Sequence, residues 1–222
     1  HHVELLHPMI EAVCVSASVG LGDIDAVAVD VGPGLFTGIR VGVSAAKGLA
    51  LALGVPAVGV TSLDALRHGA SEILRAGEHP GEREASIVPV VDLRRGDVAW
   101  SLPCPAGHVG WGPAGELLDA LRSLRTAPPS ESEGTQGEVV LVGGGALRYA
   151  GELASEGTSR VLELAASPLD AAPVASVAVL AVAAVREGRA VDAARLAPCY
   201  LREADARINW TTRHDGAATS GR

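Results

Sequence analysis

The sequence predicts an α/β fold built on a parallel sheet, and three observations carry that expectation. Residues 26–31 are a short apolar run cut off sharply by Gly32-Pro33-Gly34, as a buried strand should be. A long segment that is apolar on all sides, 39–53, follows this turn, and a second apolar run, 57–60, follows the break at Gly54-Val55-Pro56. Strand, turn, helix, strand is a βαβ unit, which sets its strands parallel with a right-handed crossover. The pattern then recurs, with Val139–Val142 running into Gly143-Gly144-Gly145-Ala146 and a helical segment carrying Leu147, Tyr149 and Leu153.

Composition bounds the rest. Apolar residues make up 48% of the 222 residues and aromatics 3%, so the core is built from Ala, Val and Leu. One lysine, Lys47, stands against seventeen arginines, which with the abundant alanine reads as coding bias. A net charge of −8 argues against a broad face that grips nucleic acid phosphates. The end of the chain is locally different: Arg195, Arg202, Arg207, Arg213 and Arg222 outnumber Glu203, Asp205 and Asp215, for a net of +2. Cys14, Cys104 and Cys199 are far apart and form no C-x-x-C pair, so idle thiols in a reducing cytosol are expected. No secretory leader pattern is read at the start, and no apolar run is expected to reach the roughly 18 residues of a membrane span. A cytoplasmic protein is expected.

In chain order, Leu5, Leu6, Met9, Ile10 and Val13 fall at helical spacing, with Pro8 as the awkward member. His2 and His7 are five apart and point at different angles, unlike a metal-binding i, i+4 pair. A domain that opens on a helix is odd for this class, so a missing natural beginning is expected. Thr61-Ser62-Leu63-Asp64 opens a helix to about Leu74, with Ser62 or Thr61 as N-cap. Residues 77–84 read as a loop, and 87–91 and 98–102 as an antiparallel hairpin around a Gly-containing turn. A short helix at 116–124, a linker at 126–138 and an Ala/Val-rich helix after Pro173 follow. The tail from Arg195 reads as extended, with disorder expected from about Asn209.

The glycine turn at 32–38 invites a phosphate reading, because glycines admit a ligand to the backbone and a helix N-terminus follows. It has no Gly-Lys-Ser/Thr ending and so is not a P-loop. Its G-x-G-x-x-x-G spacing is one residue too long for a dinucleotide fingerprint, and no acidic residue ends the second strand. A tight packing turn and a vestigial nucleotide contact at Gly32, Gly34, Gly143, Gly144 and Gly145 both remain open. Acidic residues that would hold Mg²⁺ on phosphates are read as missing from both turns. Gly38, Gly42, Ala46 and Ala50 recur every fourth residue, a stripe of small side chains suited to close approach of another helix. Arg40 and Lys47, seven apart, share a face that reads as solvated or as lining the turn.

GPGLFTGIRVGVSAAKGLALALGVPAVGVTSLDAL (32–66) resembles the signature of the TsaB (formerly YeaZ) family of tRNA threonylcarbamoyladenosine biosynthesis proteins. HVELLHPMI, DLRRGDVAW, VGGGA and PCYLR fall around it in the family's order, so the resemblance spans nearly the whole chain. Departures are Leu35 where serine is usual, Gly144 where an acidic residue is common, and the absence of the first strand and its hairpin partners, which would precede His1. The resemblance implies the actin-like, sugar-kinase-like (ribonuclease-H-like) fold of two α/β lobes. The first, at 1–85, would lack its N-terminal strands, the second would span 86–195, and a partly disordered tail would occupy 196–222. The catalytic sister family, TsaD, binds its metal through two histidines; the matching positions here are Ser62 and Leu66, neither of which replaces imidazole. The resemblance thus implies no catalytic residue, no metal and no cofactor held by this chain alone, with ATP and metal belonging to partner subunits. It implies a non-catalytic scaffold or activator of the modification complex, pairing with a TsaD-like catalytic subunit and a TsaE-like ATPase, and meeting tRNA only within the complex. A helix–helix interface at Leu6, Ile10, Gly38, Gly42, Ala46 and Ala50 is expected. The alternatives are an ATP-binding kinase-like or hydrolase-like enzyme and a homodimeric regulatory protein.

Overall fold

The computed structural model describes residues 2–76, 86–103, 108–126, 139–153, 159–161 and 171–201. It opens on helix α1 (His2–Ser16), then strand β1 (Val27–Gly32), helix α2 (Phe36–Leu53), strand β2 (Ala57–Thr61) and helix α3 (Ser62–Ala76). Strands β3 (Ser86–Arg94), β4 (Asp97–Ser101) and β5 (Val109–Pro113) follow, then α4 (Ala114–Thr126), β6 (Val139–Val142), the short helices α5 (Gly144–Arg148) and α6 (Ala150–Leu153), β7 (Ser159–Val161) and α7 (Val174–Arg186). The expected loop at 77–84, nearly all of the linker at 126–138 and the tail from 202 onward lie outside the described residues.

β1 and β2 pair in parallel, Val27 opposite Ala57 and Asp30 opposite Val60, so the βαβ reading holds. One face of this pair meets α2: Val27, Val31 and Ala57 pack on Val43, Ala46 and Ala50. The strand period turns Val58 and Val60 to the other face, where they meet Ala65 of α3 and Ala181 and Ala184 of α7. The remaining strands form a second sheet ordered β5-β4-β3-β6-β7, antiparallel through β5, β4 and β3 and parallel through β3, β6 and β7. Its larger core joins Val88, Val90, Trp100, Leu117, Leu141 and Leu153. Its opposite face, through Val140 and Val142, receives Leu66, Ala70 and Leu74 of α3.

Several expectations need correcting. α7 packs on β1 and β2, Val191 makes an antiparallel bridge to Ala57, and Leu196 is buried beside Val27 and Ala50. The chain therefore returns to the first sheet after the second is complete, and a division at residue 195 cuts through one core. The segment after Arg195 is anchored: the Cys199 N–H donates to the Val31 carbonyl at 2.7 Å and Lys47 Nζ to the Ala194 carbonyl at 3.0 Å. Arg40 donates to the Tyr200 hydroxyl at 3.0 Å and stacks on Phe36; of the two readings for Arg40 and Lys47 the solvated one holds, and from that exposed edge both reach the returning chain. Helix α2, at 18 residues, is long and apolar enough by length and composition to cross a membrane, contrary to expectation; Val43, Ala46 and Ala50 are packed into the core. The helix expected through Leu147, Tyr149 and Leu153 starts earlier, at Gly144, and breaks at Tyr149. Thr61 caps α3, its hydroxyl accepting from the Asp64 N–H at 3.0 Å.

Leu196→Ala should lower stability by about 2–4 kcal/mol, the cost of a core truncation, if the returning segment closes the first core as described. Urea unfolding measures it, and a loss near zero would detach that segment from the core.

Candidate functional site

The two sheets and α3 enclose a cleft of about 660 Å³. Its first wall is the end of β1 and the turn into α2. Asp30 sits there, its Oδ1 accepting from the Gly32 N–H at 2.8 Å and from the Ser62 hydroxyl at 2.7 Å. Ser62 lies 2.9 Å from the other carboxylate oxygen as well, so its single proton is shared across one carboxylate. Ser62, the first residue of α3, is buried.

The second wall is the end of β3. Asp92 repeats the local device of Asp30: its Oδ1 accepts from the N–H two residues on, that of Arg94, at 2.7 Å. Its other oxygen lies 3.3 Å from a terminal guanidinium nitrogen of Arg94 and 3.3 Å from one of Arg148, with the carboxylate only 13% exposed. Asp92 is thus neutralised by cations from the hairpin and from α5. Arg94 and Arg95 hold φ of 65° and 57°, a left-handed bend that L-residues other than Asn and Asp seldom adopt.

The structure separates the residues singled out in the sequence. Gly34, Gly38, Gly42 and Gly144 line the cleft. Gly32, Gly143 and Gly145 instead make room for the chain itself. At Gly32 (φ 96°) a Cβ would stand 2.7 Å from Ile39 Cδ1, and at Gly143 (φ 106°) it would collide with the Val90 carbonyl oxygen. These glycines serve close packing of turn on strand, the alternative left open above. The small-residue stripe also divides. Ala46 and Ala50 are sealed in the first core, and a Cβ on Gly42 would touch Val29 at 3.7 Å, so these three positions face the chain's own core and β1, while Gly38 is exposed. Leu6 lines a separate groove of about 400 Å³ between α1 and α2, with Arg40, Val41 and Ser44, while Ile10 is half-buried. Leu5, Met9 and Val13 are exposed on α1.

Sequence reasoning missed Asp30, Asp92, Arg94 and Arg148, and the reading of both turns as lacking acidic residues is corrected by the first two. A shared signal marks the pair: each apolar strand carries an aspartate two residues before its end, Val-Asp-Val-Gly and Val-Asp-Leu-Arg, and each carboxylate accepts from the N–H of that last residue. The metal implied by resemblance to TsaD does not fit the matching positions. The Ser62 hydroxyl is committed to Asp30, and Leu66, 1% exposed, is hydrocarbon packed on Val140 and Val142. Among the described residues no group of three His, Cys, Asp or Glu side chains converges elsewhere. Burial pushes the Cys199 thiol up from its ordinary value, which favours the unreactive protonated form.

Comparison with known proteins gives a consistent neighbourhood. The model of the TsaD family, tRNA N6-adenosine threonylcarbamoyltransferase, matches residues 1–210. A tRNA threonylcarbamoyladenosine biosynthesis protein TsaB from Escherichia coli is 33% identical over 100 residues, 45% of this chain and 40% of that protein. An uncharacterized Mycobacterium tuberculosis protein is 37% identical over 103 residues, 46% of this chain and 43% of its own. The matched stretch thus spans about two-fifths of these relatives' length. A crystal structure of a Pseudomonas aeruginosa protein described as similar to peptidase YeaZ superposes with a TM-score of 0.66 at 26% identity, covering 91% of this chain and 85% of that one.

Ser62→Ala removes a donor from a partly buried carboxylate and should cost about 1–3 kcal/mol. Ser62→Thr, which keeps the hydroxyl, should recover part of it in the same urea titration; equal losses would mean that the hydrogen bond to Asp30 contributes nothing.

Proposed function

This chain belongs to the TsaD family of tRNA N6-adenosine threonylcarbamoyltransferases, and we propose that it serves that modification as a non-catalytic scaffold subunit. Its partners in this reading are a TsaD-like catalytic subunit and a TsaE-like ATPase. They transfer a threonylcarbamoyl group to the adenosine beside the anticodon, with tRNA met only in the complex and in the cytoplasm. The observation that carries the reading is the state of the cleft. Its two carboxylates are already satisfied by Ser62, Arg94, Arg148 and backbone N–H groups, and the two positions matched to metal ligands are spent or apolar.

The face offered to a partner is α1 with the outer side of α2. Leu5, Met9 and Val13 stand exposed on α1, and Leu51 on α2. Among the described residues, helix α1 makes few contacts with the body, so Leu5, Met9 and Val13 have little there to bury against. The face retains Leu6 and Ile10 of the expected interface; Gly38 and Gly42 line the cleft instead, and Ala46 and Ala50 are sealed in the core.

A second reading, an ATP-binding enzyme, draws support from Asp30 and Asp92, two carboxylates that line the cleft beside Gly34 and Gly144. Calorimetry with ATP and Mg²⁺ on the isolated chain separates the two: binding with turnover favours the enzyme, and no turnover favours the scaffold.

Met9→Arg and Leu51→Arg change exposed positions, 61% and 60% accessible, and should leave circular dichroism and urea unfolding unchanged. Each should weaken co-elution with a TsaD-like subunit by at least about tenfold, since a buried interfacial apolar anchor is worth more than 1.4 kcal/mol. Undiminished co-elution of both variants would move the interface elsewhere.

A further inference from the structure

A groove of about 480 Å³ runs between α3 and α7 along the outer edge of β2, on the side away from β1. The phase of the ladder fixes which backbone groups face it. The Val27 N–H donates to the Pro56 carbonyl, so Val58 and Val60 bond towards β1 while Ala57 and Gly59 turn outward. Ala57 is satisfied there: it donates to the Val191 carbonyl at 2.8 Å and accepts from the Val191 N–H at 2.9 Å. Continued antiparallel pairing would bring Arg189 opposite Gly59. Instead, the Arg189 N–H bends away to the Ala184 carbonyl at 2.8 Å, closing the end of α7. The strand breaks off after one bridge. The N–H and carbonyl of Gly59, an exposed residue, are left without a backbone partner among the described residues.

The walls of the groove carry the second clue. Arg67, His68, Ser71 and Arg75 project from α3 and Arg189 from the far side, over a floor of Val58, Val60, Leu180 and Ala184. Arg67 is braced, donating to both the carbonyl and the hydroxyl of Ser101 at 2.9 Å. Arg75 and Arg189 pair with Glu72 and Glu187, exposed neighbours whose hold on them is weak. The Asp64 carboxylate accepts from the Thr61 hydroxyl at 2.6 Å at the start of α3.

We infer that this groove docks an extended acidic peptide of a partner protein, which adds to β2 as an edge strand. A free donor and a free acceptor side by side on a strand edge suit a peptide unit, whereas a phosphate would use the donor and waste the carbonyl. The apolar floor takes alternate side chains of such a strand, and the arginines take the acidic ones. This surface lies on α3, α7 and β2 and is independent of the α1–α2 face, so it survives or fails apart from the scaffold reading.

The test uses the full chain and the blocked peptide (Glu-Val)4, with (Lys-Val)4 and inorganic phosphate as comparison probes. Fluorescence anisotropy should show saturable binding of the glutamate peptide that weakens with salt, and hydrogen exchange at the Gly59 amide should slow when it is bound. The double substitution Arg75→Glu and Arg189→Glu, at exposed positions, should weaken binding by about tenfold or more, while the double lysine variant keeps most of it. No saturable binding up to about 1 mM, equal binding of (Lys-Val)4, unchanged exchange at Gly59, or full displacement by phosphate would each overturn the proposal.

Discussion

Helix α3 is the element on which the rest of the structure depends, because it is packed into both sheets at once. It begins where β2 ends, so its position relative to the first sheet is fixed by one peptide bond. Ala65 then enters the core shared by β2 and α7, while Leu66, Ala70 and Leu74, on the adjoining stripe, enter the core beneath β6. A helix with a small alanine on one flank and leucines on the other can lie close to one sheet and reach across to a second. Its register also sets the cleft. Ser62, at its first turn, reaches Asp30, and Leu66, one turn later, closes the floor beside Gly143.

The cleft carries two carboxylates, yet both are engaged. In a low-dielectric cleft an unpaired carboxylate is costly, and the two aspartates meet that cost differently. Asp30 uses a neutral hydroxyl and a backbone N–H, whereas Asp92 uses two guanidinium groups from the hairpin and from α5. The bridge from Arg148 through Asp92 to Arg94 also ties the end of α5 to the β3–β4 hairpin, so the polar groups brace one wall of the cleft.

The returning chain explains why a strictly sequential division into lobes does not match the packing. β1 and β2 alone make a two-stranded parallel sheet, an arrangement that is rarely stable unless both faces are covered. α2 covers one face and α7 the other, and α7 comes from the far end of the sequence. Leu196 and the Cys199 N–H then close the margin of the first core.

Local periodicity determined the elements of this protein. The buried runs at β1, β2, β3, β4 and β6, the parallel βαβ unit and the hairpin all followed from apolar spacing and glycine punctuation, because strands and turns answer to near neighbours. β5 escaped: Gly110 and Gly112 erase its alternation, and Gly110 is there because the Trp100 indole lies across it, a cross-strand fact that no local pattern contains. Only the tertiary structure decided what each face meets. The same four-residue stripe that reads as a docking surface proved to be half core, since Ala is equally suited to a neighbouring helix and to a strand of its own chain. Asp30 and Asp92 were visible as letters, but a carboxylate becomes a site only when distant elements converge on it, and 32 residues separate Asp30 from Ser62 and 56 separate Asp92 from Arg148.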